Sequence, residues 1–204
     1  MTDRAIQRLG LKYKAKYLNL RSVVETHLRD MQRLNTNTNA MEGGGHNPSS
    51  KRGLMVQAPM GTGKSWYLKN RVPSEFSDLV VDGDDLLAKR GVKNRNYFWY
   101  DPTKSAEREA ILKVFREALA NGKIILYSGS PALIPTDVLV VPDAEVRWQR
   151  LTNRSDFRPK REQFEREQQA YEEAKAEAKN SDKIAHVFDE IPDMEVLLKI
   201  MNQN

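Results

Sequence analysis

One short run in the sequence has the residue types and spacing for phosphate chemistry, namely GTGKS at residues 61–65. In such a run, successive backbone N–H groups surround an anion, and glycine allows both a left-handed turn and a close approach. Lys64 would bind the β and γ phosphates of a nucleoside triphosphate, and the Ser65 hydroxyl would bind Mg²⁺. An apolar stretch at 54–56 precedes the run, and a helix-compatible stretch begins at Trp66. We therefore predict a buried strand, a phosphate loop and a helix whose positive end adds to the site.

The nucleotide-binding residues predicted in this stretch are Met60, Gly61, Thr62, Gly63, Lys64, Ser65 and Trp66. The full GxxxxGK[ST] pattern has glycine at its first position, where this sequence has Ala58. Alanine is the mildest departure from that pattern. A chance GTGKS on a surface turn is the alternative, and the flanking strand and helix patterns disfavour it.

Three carboxylates follow a second apolar stretch, in the segment SDLVVDGDDLL at residues 77–87. A short strand at 79–81 would deliver Asp82, Asp84 and Asp85 at its carboxyl end, which is the end of open α/β sheets where ligands bind. There one carboxylate can accept a proton from an attacking hydroxyl while another orients metal-bound water. Aspartate and glycine are also common turn formers, so a purely structural turn is the competing interpretation.

Arginines are concentrated in the segment that follows the predicted fourth strand. Arg147, Arg150 and Arg154 fall at helical spacing on one face, and Arg158 and Arg161 bracket a proline that must break the helix. Planar guanidinium groups neutralise the spread charge of phosphoryl groups, so we predict an arginine-rich lid around residues 150–170. A solvated charged helix is the alternative, and we expect it to describe residues 163–179.

The composition excludes several kinds of site and several classes of protein. The chain has 204 residues, a net charge of +5, no cysteine and three histidines without metal-ligand spacing. These counts exclude disulfides, thiolate catalysis and zinc sites built on cysteine. No apolar run approaches the length of a membrane span, and the N-terminal stretch is not of signal-peptide type. We expect a soluble cytoplasmic protein with no membrane contact.

The excess positive charge lies near the N-terminus, where residues 1–35 contain eight Lys/Arg and three Asp/Glu. Residues 1–34 carry an apolar stripe of helical period and are predicted to form a basic helical extension. The polar, glycine-rich stretch 35–52 is predicted to be a flexible linker, and a single domain is expected at 53–204. The extension could contact nucleic acid, or its stripe could pack on the domain or on a second subunit, which would make an oligomer.

Helical stretches separate the remaining apolar runs of the domain. KIILYSGS at 123–130 and DVLVVP at 137–142 are continuous apolar strands, which are typical of a parallel sheet covered on both faces. Four adjacent aromatic residues at 97–100 could form either a stacking platform for a base or a corner of the core. A fifth strand at 184–188 and a terminal helix at 193–201 complete the predicted α/β fold.

Taken in order, these segments resemble the small P-loop kinases, the family that includes nucleoside monophosphate kinases, gluconate kinases and phage polynucleotide kinases. VDGDDLL looks like the acceptor-side motif of gluconate-kinase-type enzymes, and VPDAEVRWQRLTNR looks like the lid of polynucleotide kinase domains. The resemblance covers residues 53–201 and implies a five-stranded parallel sheet of order 2-3-1-4-5. It also implies ATP and Mg²⁺ as cofactors, with Ser65 and Asp84 as metal ligands.

The resemblance further assigns roles to single residues. Asp84, or else Asp82, matches the carboxylate that activates the acceptor hydroxyl. Lys64, Arg154 and Arg158 match the charge-stabilising groups, Arg150 lies in the lid, and the loop ending at Pro192 lies beside the adenine. Two departures are present, because Ser128 ends the third strand where a Walker B aspartate is expected, and Leu87 stands where polynucleotide kinases have an arginine.

The leading interpretation is an ATP-dependent phosphotransferase that acts on a nucleotide or on a hydroxyl carried by nucleic acid. Sugars are a further acceptor class. A different class of protein is also compatible with the sequence, namely a nucleotide-binding module with a regulatory or assembly role. These alternatives differ in whether the aspartates after the second strand take part in chemistry.

Overall fold

The computed structural model describes residues 52–92, 102–154, 160–178 and 186–203. Several sequence predictions therefore lie outside the described residues. They are the helical extension 1–34, most of the linker 35–52, the aromatic residues 97–100, and Arg158.

Five parallel strands form one sheet in the order β2-β3-β1-β4-β5, which confirms the order implied by the family resemblance. The strands are β1 (Leu54–Gln57), β2 (Val80–Asp82), β3 (Ile124–Tyr127), β4 (Val138–Val140) and β5 (His186–Phe188). Every residue of β1, β3 and β4 is buried, as expected for strands covered on both faces. Because β1 has β3 on one side and β4 on the other, a crevice opens at its carboxyl end.

Six α-helices connect or follow the strands among the described residues. They are α1 (Lys64–Asn70), α2 (Gly83–Lys89), α3 (Ser105–Ala120), α4 (Ala144–Thr152), α5 (Arg161–Ala178) and α6 (Met194–Met201). Short 3₁₀ turns cover Ser74–Phe76 and Pro102–Lys104. No helix in the described ranges is long and apolar enough to cross a membrane.

The core forms where side chains of α3 and α5 meet one face of the sheet. Phe115 of α3 packs edge-on against Tyr127, with ring centroids 4.7 Å apart, inside a cluster that includes Met55 and Ile125. Tyr171 and Ala174 of α5 pack similarly on β4. The alternate residues of β1 and β3 point to the opposite face and are equally buried. These contacts hold the carboxyl ends of the strands in a fixed arrangement.

Helix α5 corrects one expectation from the sequence. The interpretation of residues 163–179 as a solvated charged helix is wrong for one side of the helix, where Phe164, Gln168, Tyr171 and Ala174 are buried. Their spacing of four, three and three residues places them on one face. Helix α5 is therefore an amphipathic element packed on the sheet.

Candidate functional site

The loop between β1 and α1 has the conformation expected of a phosphate loop. The backbone N–H of Ala58 donates to the Tyr127 carbonyl at 2.8 Å, so the strand pairing continues for one residue past β1. Gly61 and Gly63 then take left-handed conformations with φ of 87° and 94°, which only glycine adopts easily. The first α1 hydrogen bond follows, from the Tyr67 N–H to the Gly63 carbonyl at 2.8 Å. Ala58 itself needs no positive φ, which explains why alanine is accepted there.

The two glycines serve different purposes. A Cβ on Gly61 would lie 2.8 Å from Leu151 Cγ and 3.2 Å from the Arg147 carbonyl oxygen, so the loop rests directly on α4. A Cβ on Gly63 would meet nothing within 4 Å. Gly61 is therefore required both by packing and by its φ, whereas Gly63 is required by its φ alone.

Lys64 lies across the loop. Its Nζ donates to the Ala58 carbonyl at 2.8 Å and to the Pro59 carbonyl at 3.3 Å. Burial lowers the pKa of Lys64, and the negative charges of Glu167, Asp82 and Asp84 oppose that lowering. The site thus holds a partly buried cation beside backbone groups, in the position where the sequence predicted contact with phosphates.

The predicted aspartates flank the same loop. Asp82 caps the N-terminus of α2, where its Oδ1 accepts the Asp84 N–H at 2.9 Å, while Asp84 and Asp85 are exposed. Burial raises the pKa of Asp82, a hydrogen bond from the Asp84 backbone lowers it, and the Asp84 charge raises it further. Of these three carboxylates, Asp84 is the one that is both exposed and part of the lining of the cleft beside the loop.

A cleft of about 430 Å³, called here the phosphate cleft, brings most of the predicted catalytic groups together. Its walls include Met60, Gly61, Gly63, Lys64, Ser65, Trp66, Asp82, Asp84, Ser128, Arg150 and Arg154. Residues distant in sequence thus converge at the carboxyl ends of β1, β2 and β3, which is where the topology predicts a ligand.

A second cleft of about 600 Å³, the side cleft, adjoins α1 on the side of the C-terminal loop. Thr62, Gly63, Trp66, Arg150 and Pro192 are among its lining residues. The predicted nucleotide-binding residues are therefore divided between two clefts, with Gly63, Trp66 and Arg150 lining both.

The loop that carries Pro192 is fixed to α1. The buried Tyr67 hydroxyl donates to the Pro192 carbonyl at 2.9 Å, and Arg71 forms an exposed ion pair with Asp193 at 3.5 Å. Desolvation raises the pKa of the Tyr67 hydroxyl, which therefore stays protonated and can donate. The spacing of α1 from this loop consequently depends on a side chain that the sequence analysis did not single out.

Arg147, Arg150 and Arg154 do not share one environment. Arg150 and Arg154 are exposed and line the phosphate cleft, with Arg150 Nη1 donating to the Thr62 carbonyl at 3.4 Å. Arg147 is fully buried under the loop, where its Nε donates to the Met60 carbonyl at 2.7 Å. Arg147, which precedes the predicted lid at 150–170, therefore lies in a different environment from Arg150 and Arg154.

Glu167 and Gln168 of α5 are functional candidates that the sequence analysis missed. Arg147 pairs with the Glu167 carboxylate and also donates to the Gln168 side-chain oxygen. Glu167 Oε1 accepts the Ser128 hydroxyl at 3.2 Å and the Met60 N–H at 3.5 Å. A carboxylate from α5 thus lies next to Ser128, at the end of the strand where the sequence lacks a Walker B aspartate.

The donor groups of the phosphate cleft fit Mg²⁺ bound together with phosphates. Ser65 and Asp84 supply the hydroxyl and carboxylate oxygens that this ion prefers. Among the described residues, no group of three or more His, Cys, Asp or Glu could hold a metal. Mg²⁺ commonly takes only one or two protein ligands and completes its shell with substrate phosphates and water. The arrangement therefore fits a metal that arrives with its nucleotide.

Comparison with solved structures found similarity to the following kinases. Shikimate kinase from Acinetobacter baumannii in complex with shikimate has 16% identity and a TM-score of 0.45, with 74% of this chain and 92% of that chain covered. Shikimate kinase from Bacteroides thetaiotaomicron has 17% identity and a TM-score of 0.45, with coverage of 73% and 94%. A gluconokinase from Sinorhizobium meliloti 1021 has 16% identity and a TM-score of 0.39, with coverage of 74% and 93%.

No protein-family model and no curated protein matches the chain. The residues of this chain are therefore what indicates its reaction and substrate.

Proposed function

We propose that this protein is an ATP-dependent phosphotransferase. The observation that carries the proposal is the convergence of Lys64, Asp82 and Asp84 on one cleft, beside a loop with two left-handed glycines. A cation and aligned backbone N–H groups suit the phosphates of a nucleotide, while an exposed carboxylate suits an acceptor hydroxyl. Both halves of a phosphoryl transfer reaction are thus represented in one cavity.

In the proposed reaction, the acceptor oxygen attacks the γ phosphorus and the bond from that phosphorus to the β,γ-bridging oxygen breaks. Asp84 accepts the proton of the acceptor hydroxyl, and ADP leaves with the electrons of the broken bond. Lys64, Arg150 and Arg154 stabilise the negative charge that spreads over the transferring group. When bound by Ser65 and Asp84, Mg²⁺ would neutralise phosphate charge. Arg158, which lies outside the described residues, remains a predicted member of the arginine group.

We further propose that the nucleotide extends from the phosphate cleft into the side cleft. Gly63, Trp66 and Arg150 line both cavities, so a ligand that passes between them would contact all three. Trp66 has 58% of its surface exposed, which is unusual for so large an apolar side chain and leaves its ring accessible to a base or ribose. Pro192 would then bound the base on the opposite side.

The proposed acceptor is a nucleotide or a hydroxyl on nucleic acid, and a small polyhydroxy compound is the competing acceptor. The positive charge of segment 1–34 is the one feature of that segment that favours a nucleic-acid acceptor. If that segment contacts phosphates, binding should weaken with salt by a slope of about 0.7–0.9 per contact.

A transfer screen tests the function. The full chain is incubated with Mg²⁺ and γ-labelled ATP in the presence of nucleosides, nucleotides, single- and double-stranded DNA, RNA, sugars and shikimate, at low and high salt. Label transferred to one acceptor class in a Lys64-dependent manner supports the proposal. Label released only to water, or no turnover despite a folded protein, contradicts it.

A further inference from the structure

The strongest feature outside the predicted motifs is the buried ion pair beneath the phosphate loop. Arg147 has none of its side chain exposed, and its partner Glu167 has only 15% exposed. Taking both charges out of water is costly, and an apolar pair of similar volume often gives equal or greater stability. Stability alone is therefore a weak explanation for an ion pair at this place.

Each of the three nitrogens of the Arg147 guanidinium donates a hydrogen bond. Its Nε binds the Met60 carbonyl, while its two terminal nitrogens bind Gln168 and Glu167. A lysine has a single ammonium group and cannot make this planar fork of contacts. The Phe164 ring lies 4.5 Å from the guanidinium carbon and helps to fix its plane. The orientation of the guanidinium, and so of its contact with Met60, is fully determined.

Both backbone groups of Met60 are bound by this same pair. Arg147 donates a hydrogen bond to the Met60 carbonyl at 2.7 Å. Glu167 accepts one from the Met60 N–H at 3.5 Å, which is the longer and weaker contact. Met60 immediately precedes Gly61, whose left-handed backbone is costly to order because glycine has the most conformational freedom to lose. An anchor at this residue therefore orders the loop before a nucleotide binds, which lowers the entropic cost of binding.

We propose that Arg147 and Glu167 are positioning residues that hold the phosphate loop at Met60 in its nucleotide-binding conformation. Helices α4 and α5, which carry these two residues, thus support the loop through Met60. The hydrogen bond from Ser128 to Glu167 also connects the pair to the end of β3. This inference rests on the proposed function, because the conformation held in this way is the one that receives the phosphates.

The test uses the full chain and three single variants. Glu167→Gln removes the charge but keeps a carbonyl oxygen, and Arg147→Lys keeps the charge but removes the fork. Glu165→Gln is the matched control, because Glu165 lies on the same helix and loses an exposed ion pair with Arg161 instead. The measurements are the melting temperature, the Kd for Mg·ATP by calorimetry, and the backbone amide resonances of Met60, Gly61 and Gly63.

We expect Glu167→Gln and Arg147→Lys to weaken Mg·ATP binding by about tenfold or more, the effect typical of removing a group that orients a binding residue. In both variants the backbone amide resonance of Met60 should shift. The control Glu165→Gln should change neither the Kd for Mg·ATP nor the Met60 resonance. A folded Glu167→Gln protein with wild-type affinity would overturn the proposal.

A fourth variant keeps the test decisive if the single changes unfold the protein. Replacing both Arg147 and Glu167 by Met removes both buried charges, so the melting temperature should return to the wild-type value or exceed it. The loop would still lack its anchor, and weak Mg·ATP binding should persist. If this stable double variant bound Mg·ATP with wild-type affinity, Arg147 and Glu167 would have a structural role only, and the proposal would be overturned.

Failure of the proposed function would be seen separately. If the wild type itself does not bind Mg·ATP, the phosphotransferase proposal is contradicted. In that case the amide resonances alone test whether Arg147 and Glu167 hold the loop. If the Met60 amide resonance shifts no more in Glu167→Gln than in Glu165→Gln, the inference is overturned.

Discussion

The two sides of the phosphate cleft differ in how tightly their charged groups are held. On the loop side, the Lys64 ammonium binds two backbone carbonyls and the Arg147 guanidinium is buried beneath Met60. On the aspartate side, Asp84 and Asp85 are exposed at the first turn of a seven-residue helix. The loop side is therefore preorganised, whereas the aspartate side is open.

This difference corresponds to what each side would bind. The triphosphate group is the same in every ATP molecule, so its binding site does not need to adapt to different ligands. A rigid, buried site for it therefore lowers the entropic cost of binding. An acceptor must reach Asp84 from solvent and be recognised by groups around it. We infer that substitutions on the loop side will affect nucleotide binding and transfer together, and that substitutions on the aspartate side will affect transfer much more than nucleotide binding.

The largest expected effect is that of Lys64→Ala, which removes the cation of the loop side. We expect transfer to fall roughly a hundredfold or more, since a charge placed on the transferring phosphates is worth several kcal/mol in the transition state. ATP affinity should fall as well. Steady-state kinetics and calorimetry measure both, with Lys113→Ala on the exposed face of α3 as the control. Unchanged turnover in a folded Lys64→Ala protein would refute the assignment of the loop.

The next effect tests the aspartate side. Asp84→Asn should keep the affinity for Mg·ATP within a few fold and lose most transfer, because an amide cannot accept the proton of the acceptor hydroxyl. Asp78→Asn, an exposed change ahead of β2, should have little effect. If Asp82→Asn proves more damaging than Asp84→Asn, the roles of the two carboxylates are exchanged. A purely regulatory nucleotide-binding module would keep its function in all three variants.

The sequence predicted the loop side and the aspartate side because both depend on local patterns. Glycines at 61 and 63 followed by Lys64 are recognisable without any tertiary contact, and so are carboxylates directly after an apolar strand. The strand order was implied by the family resemblance and confirmed by the structure. Short-range patterns of this kind determine which elements form and which polar groups stand at their ends.

The support beneath the loop could not be predicted in this way. Arg147 and Met60 are 87 residues apart in sequence, and Glu167 and Ser128 are 39 apart. Charged residues in a helix are usually solvated, so nothing local distinguishes the buried Arg147 from the exposed Arg150. The one available signal, which the sequence analysis did not use, was the apolar spacing of Phe164, Tyr171 and Ala174, which is typical of a helix with one face packed inward.

A smaller effect is expected from Tyr67→Phe, which tests the attachment of the C-terminal loop to the loop side. Losing the hydrogen bond to the Pro192 carbonyl should cost about 1 kcal/mol, which is roughly 2–4 °C in melting temperature for a chain of this size. We expect a modest rise in the KM for ATP with little change in kcat, because Pro192 borders the side cleft and not the aspartates. A change in kcat alone would place this contact in the transfer step.

The smallest expected effect separates function from stability on the aspartate side. Burial raises the folded-state pKa of Asp82 above its ordinary value, so the ionised carboxylate opposes folding at neutral pH. Asp82→Asn removes that charge and keeps the cap of α2, because asparagine caps helices as well as aspartate does.

We therefore expect Asp82→Asn to melt slightly above the wild type at pH 7–8, even where its activity is lower. The gain should stay below the roughly 2–4 °C that 1 kcal/mol produces, because the carboxylate is partly solvated. The folded state of the wild type binds the Asp82 proton more tightly than the unfolded state does, so its stability rises as the pH falls through the folded-state pKa. The melting difference should accordingly shrink towards zero on acidification, and thermal melts of both proteins from pH 8 to pH 4 measure it. A variant that melts below the wild type at pH 7, by a margin that shrinks on acidification, would show that Asp82 stabilises the fold as a carboxylate. The aspartate side would then be held as firmly as the loop side, and the contrast between them would disappear.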